Sequence, residues 1–189
     1  MNQGVVDKAQ QVRSGEELSA ETVNRWLKDN LDDTIKARCN GCETKPAITQ
    51  YAGGASNWTY CLDYPNTSMI LRRGPAGTKA KGAHDMEREY KLQRALKPVY
   101  RYVPTMYAYC EDESVIGADF YLMEKFTGII PRKNLPRDLN TTKAQTAQLC
   151  TNVLDSLIEL HKVDHEKAGL SHLGKGKGYI ERQISGWSE

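Results

Sequence analysis

The stretch from Ile48 to Arg73, ITQYAGGASNWTYCLDYPNTSMILRR, restricts the fold more than any other part of the chain. Two runs rich in β-branched and aromatic residues, Ile48 to Tyr51 and Trp58 to Leu62, flank the small residues Gly53, Gly54, Ala55, Ser56 and Asn57. Small residues at a hairpin tip leave backbone N–H groups exposed, so this turn is a candidate cradle for phosphate. A third apolar run, Met69 to Leu71, ends in Arg72 and Arg73. A strand of that register delivers a fixed cation beside whatever the glycine turn holds. Successive strand residues point to opposite faces, so the pattern alone leaves open which arginine meets the ligand.

Bulk properties exclude several classes. The 189 residues are 39% hydrophobic and 26% charged, an ordinary globular balance, and the net charge of +2 gives no footing for non-specific nucleic-acid binding. No apolar run approaches the roughly 20 residues of a membrane span, and Met1 to Gln11 lacks the apolar segment of a signal peptide, so a cytoplasmic protein is expected. Five cysteines, an odd number, scattered along the chain read as reduced thiols rather than a disulfide framework. Cys39 and Cys42 have zinc or redox spacing, but no second pair follows at finger distance, and an incidental loop is the expectation. No metal site is assigned.

Ser19 suits an N-cap, and Val23, Trp26, Leu27 and Leu31 recur at helical spacing, predicting a helix from Ser19 to about Asn30. Lys36 to Pro46 reads as a loop into the first strand. Gly74 to Gly82, with Lys79 and Lys81, reads as a basic connector that could serve as a lid on the phosphate side. In a helix from His84 to Leu96, Met86, Tyr90, Leu92 and Leu96 define an apolar arc with Glu89 near its centre. An inward carboxylate needs a cation, and the preceding strand end supplies one, so an Arg72–Glu89 pair is predicted. Met106 to Cys110 and Phe120 to Met123 suggest two more strands, and Leu122 to Gly128, including Met123, Glu124 and Phe126, runs into a turn like a connector between lobes. Thr142 and Gln145 form a capping-box pair ahead of a long helix to Lys162, with His161 on its apolar side as a packing residue. The tail becomes amphipathic again from Tyr179 to Trp187. Gly169 to Gly176 nearly spells a P-loop, but it lacks the Ser or Thr after Lys175 and follows no buried strand.

The glycine turn, basic strand end, helix glutamate and apolar hinge, together with Leu71-Arg72-Arg73-Gly74-Pro75, His84-Asp85-Met86-Glu87-Arg88-Glu89-Tyr90, Cys110-Glu111-Asp112-Glu113-Ser114 and Phe120-Tyr121-Leu122-Met123-Glu124, resemble the aminoglycoside and choline phosphotransferase superfamily of protein-kinase-like folds. The similarity is strongest to the subgroup related to the kinase-like domain fused to acyl-CoA dehydrogenases. It implies an α+β fold: a five-stranded antiparallel sheet with one inserted helix over residues 47–127, preceded by a helical lead-in over 1–46 and followed over 128–189 by a hinge and the first helices of a larger lobe. It also implies ATP and Mg2+ as cofactors and a nucleotide and a small-molecule hydroxyl acceptor as partners, while charge and hydropathy argue against nucleic acid and membrane. Carried over by position, Gly53 to Asn57 cover the phosphates, Arg72 or Arg73 replaces the strand lysine, Glu89 is its helix partner, and the hinge from Met123 through Glu124 to Phe126 meets adenine.

The resemblance also implies a His-Gly-Asp loop that orients the acceptor, and no His-Gly-Asp occurs in the 189 residues. The chain therefore reads as the nucleotide-binding half of a phosphotransferase, with no catalytic or metal residue of its own and no turnover expected. The rival reading is a non-catalytic, pseudokinase-like scaffold. Either way the long helix lacks the partners its apolar side calls for, and self-association is expected.

Overall fold

The structure, a computed structural model, describes residues 6–52, 57–75, 85–131, 134–173 and 176–188. The predicted cradle residues Gly53, Gly54, Ala55 and Ser56 and most of the basic connector lie outside the described residues. Five strands, β1 (Ala47–Gln50), β2 (Trp58–Asp63), β3 (Ser68–Arg73), β4 (Met106–Cys110) and β5 (Phe120–Glu124), form one antiparallel sheet in the order β1-β2-β3-β5-β4. Helix α3 (Met86–Leu96) is the insertion between β3 and β4, as the spacing predicts.

Alternation along the strands divides the molecule into two layers. Tyr60, Leu62, Met69, Leu71, Phe120 and Leu122 point to one face and are buried there with Val23 and Leu27 of α1 (Ala20–Asn30). Ser19 caps α1 by accepting a hydrogen bond from the Thr22 N–H, and the Trp26 ring meets Phe120 edge-on at 4.9 Å. The opposite face carries Thr59, Ile70, Arg72, Tyr121 and Met123, and α3 packs over its β4 and β5 end, with Tyr90 stacked on Tyr109 at 5.7 Å.

Three local expectations are corrected. The segment read as a loop from Lys36 begins inside a second helix, α2 (Asp33–Arg38), and continues as a 3-10 turn over Asn40–Cys42. The Asp32 side chain accepts from the Thr34 N–H to start α2, and burial of Cys39 and Cys42 against α1 draws the turn into the core. Gly41 makes that turn feasible at φ 65°, where it needs no side-chain room. Both thiols pack in the core, and burial pushes the Cys39 thiol up to about 12.

Second, the apolar arc of α3 is narrower than predicted. Met86 and Leu96 are buried, but Leu92 is 38% exposed. Third, α4 (Lys143–His161) forms with the predicted capping box at Thr142 and Gln145, yet none of its side chains is buried and His161 is exposed. Its attachment to the sheet layer is polar: Tyr100 donates to the Ser156 carbonyl at 3.1 Å and Arg101 pairs with Glu159 at 3.8 Å. The amphipathic tail forms α5 (Tyr179–Trp187). No described helix is long and apolar enough to cross a membrane.

Candidate nucleotide site

The two arginines at the end of β3 have opposite fates. Arg73 points into the α1 side, is 5% exposed, donates from its η-nitrogen to the Ile116 carbonyl at 2.7 Å and lies 4.9 Å from the Trp58 ring. Burial lowers its pKa, and nearby Glu16 partly opposes that shift. Its donors are committed to the protein interior. Arg72 lies opposite Thr59 and Tyr121 on the other face, with its side chain 36% exposed.

Arg72 Nε sits 3.5 Å from Glu89 Oε2, the predicted pair. The contact is an ion pair without a hydrogen bond, for Nε is buried and has no hydrogen-bond partner among the described residues. Glu89 is instead held by two neutral donors. The Tyr121 hydroxyl donates to Oε2 at 2.9 Å and the Asn57 amide to Oε1 at 3.1 Å. Asn57, expected to face phosphate with the glycine turn, is buried and ties the base of that turn to α3. Burial, seconded by the Glu89 carboxylate, pushes the Tyr121 phenol up and keeps it a donor, while Arg72 opposes the shift.

Beside this cluster lies a crevice of about 470 Å³. Its floor is Thr59, Ile70 and Met123, with Tyr51 at one edge; Ile70 and Met123 face each other across the β3–β5 pairing. Ile70 is two residues before Arg72 on the same face, so the two backbone positions lie roughly 7 Å apart along the strand. The far wall is the hinge, Glu124, Phe126, Gly128, Ile129 and Ile130. Asp7 reaches its mouth and donates its N–H to the Gly128 carbonyl at 3.4 Å. The Glu124 side chain turns away to accept from the Thr105 N–H at 3.0 Å, which, against the cost of burial, holds its carboxyl below the usual range, so the hinge presents backbone and apolar surface to the crevice. The Phe126 N–H has no hydrogen-bond partner among the described residues.

The structure thus brings Arg72, Glu89, Asn57 and Met123 to one face, sets Glu124 and Phe126 in the hinge wall beside it with the Glu124 side chain turned away, and takes Arg73 to the other face. Sequence reasoning missed Tyr51, Thr59, Ile70 and Tyr121. The signal was parity: once Arg72 is taken as the outward arginine, Ile70 must share its face.

Comparison with known proteins identifies the family and the fold. The profile described as a phosphotransferase enzyme family matches residues 47–189. The chain belongs to the phosphotransferase enzyme family. Acyl-CoA dehydrogenase family member 11 of Rattus norvegicus is 36% identical over 143 residues, covering 75% of this chain and 18% of that protein. Acyl-CoA dehydrogenase family member 10 of Mus musculus is 33% identical over 163 residues, covering 86% of this chain and 15% of that protein. The crystal structure of a candidate aminoglycoside phosphotransferase from Ralstonia eutropha is 28% identical with a TM-score of 0.69, covering 91% of this chain and 46% of that one. The phosphotransferase chain thus spans less than a quarter of the curated relatives it matches and under half of the structural neighbour. Its sheet and helices are those of the kinase-like phosphotransferase fold, as the sequence motifs imply.

Proposed function

We infer that this chain is the nucleotide-binding half of an ATP-dependent small-molecule phosphotransferase. One observation carries the reading: a buried guanidinium nitrogen without a hydrogen-bond partner sits on the same sheet face as an apolar crevice walled by hinge backbone. A flat base suits the crevice between Ile70 and Met123, the Phe126 N–H is placed to donate to it, and Arg72 is placed to donate to an α- or β-phosphate. An uncommitted buried N–H fits an anionic oxygen, since leaving it unpaired costs free energy. Glu89 orients Arg72 electrostatically, and the turn at Gly53 to Ser56 is assigned to the remaining phosphate oxygens by family position. We divide the chain at residues 46 and 127 into lead-in, nucleotide lobe and linker with helices, and place it in the cytoplasm.

Magnesium is a different matter. Among the described residues no three His, Cys, Asp or Glu side chains are grouped to hold a metal ion, so no step through magnesium is assigned to these residues. An acceptor-orienting Asp within a His-Gly-Asp loop is likewise missing from the sequence. Isothermal titration of the purified chain is expected to show ATP binding in the micromolar to millimolar range, with no steady magnesium-dependent ATP consumption. Absence of any ATP binding, or sustained turnover, overturns the reading. The same reading makes α4 a self-association surface, since Leu149, Val153, Leu154, Leu157 and Ile158 are each at least 41% exposed. Light scattering should then give a concentration-dependent mass above 21.3 kDa, and a clean monomer removes that part.

A further inference from the structure

We propose that Tyr121 is a positioning residue that keeps Glu89 from clamping Arg72, so that the guanidinium stays available to phosphate; the phosphate part rests on the nucleotide reading above. Arginine and a carboxylate at close range ordinarily form a two-pronged, charge-assisted pair that uses up the donors on one edge of the guanidinium. Here that pair is not made. Each oxygen of Glu89 already takes one directed hydrogen bond, Oε2 from Tyr121 at 2.9 Å and Oε1 from Asn57 at 3.1 Å, while Arg72 Nε stands off at 3.5 Å without one. Gln93 adds a longer contact to the Tyr121 hydroxyl at 3.5 Å, which helps fix its direction.

The arrangement answers a problem specific to arginine at this position. A lysine ammonium can share a carboxylate and a phosphate through three freely rotating donors, whereas a planar guanidinium locked edge-on to Glu89 presents fewer toward the crevice. Tyr121 opposes Arg72 directly in the β3–β5 pairing, so its hydroxyl reaches Glu89 from beneath the same carboxylate that Arg72 approaches. Removing that hydroxyl leaves Oε2 with Arg72 as its nearest donor, and closing the gap to ordinary hydrogen-bond length takes a shift of only about 0.6 Å.

The test follows Arg72 modification by phenylglyoxal in the intact chain, by peptide mass spectrometry. Tyr121→Phe, which keeps the ring, is expected to slow modification of Arg72 about fivefold, the loss expected from one new hydrogen bond, and adding Glu89→Gln should restore the rate. Glu89→Gln alone should change the rate less than twofold, because Glu89 makes no hydrogen bond to Arg72 Nε in the native chain and the remaining ion pair, about a third exposed, contributes little. An unchanged rate in Tyr121→Phe, or a many-fold acceleration in Glu89→Gln alone, overturns the proposal. ATP binding should weaken about fivefold in Tyr121→Phe with adenosine binding unaffected, a pattern that loss of general structure does not give. If ATP fails to protect Arg72 in the native chain while Tyr121→Phe still slows modification, the positioning role of Tyr121 stands and the nucleotide reading falls; protection by ATP with no effect of Tyr121→Phe gives the reverse.

Discussion

Replacing Arg72 with alanine is expected to lower affinity for ATP by about one to two orders of magnitude while leaving adenosine binding within twofold. The size follows from removing one or two charge-assisted hydrogen bonds, each about 1.5–3 kcal/mol where the partner is charged. The selectivity follows from position, since Arg72 lies beyond Ile70 and not against the apolar floor that would receive the base. Stability should change by less than about 1 kcal/mol, because Glu89 keeps its bonds to Tyr121 and Asn57 and a partly exposed ion pair contributes little. Calorimetric titration with ATP, ADP and adenosine decides it. Equal loss for all three ligands would mean that Arg72 shapes the crevice instead of binding phosphate, and no loss would remove it from the site.

Phe120→Ala should cost about 3–5 kcal/mol in urea unfolding, enough to unfold a domain of ordinary marginal stability. Phe120 is fully buried, its ring meets Trp26 of α1, and its backbone pairs with both Arg73 and Cys110. Truncation therefore opens a cavity where α1, β3 and β4 meet around β5. The strands are fixed in register on either side, so the gap cannot close by sliding. A loss under about 1 kcal/mol would show that α1 is held mainly by its other contacts, such as the Tyr64 hydroxyl on Asn24 at 2.7 Å.

Most of the sheet was legible because its strands alternate or run apolar between strong turn residues, and those signals are local. The Arg72–Glu89 pairing was legible for a different reason: a charge on the inner arc of a helix demands a partner, and the chain offered one nearby. What the sequence concealed depends on pairing. Ile70 joins Met123 in the crevice floor only because β3 pairs with β5 and not with β4, and Tyr121 meets Glu89 for the same reason. Strand order across an inserted helix is a tertiary fact. The segment around Cys39 was misread because its polar residues suggest a loop, while two buried thiols and an Asp cap set its conformation. His161 and Leu92 were misread because helical periodicity shows which residues share a face without showing that anything covers it.

The family match begins at residue 47, yet the molecule does not. Val23 and Leu27 close one side of the sheet, Tyr60 donates to the Glu16 carbonyl at 2.8 Å, and Asp7 touches the hinge. An expression clone trimmed to the homology boundary would uncover Leu62, Leu71 and Leu122 to solvent and would remove Asp7 from the mouth of the crevice. Aggregation of such a clone would then report on where it was cut, and its failure to bind ligand would say nothing about the site itself.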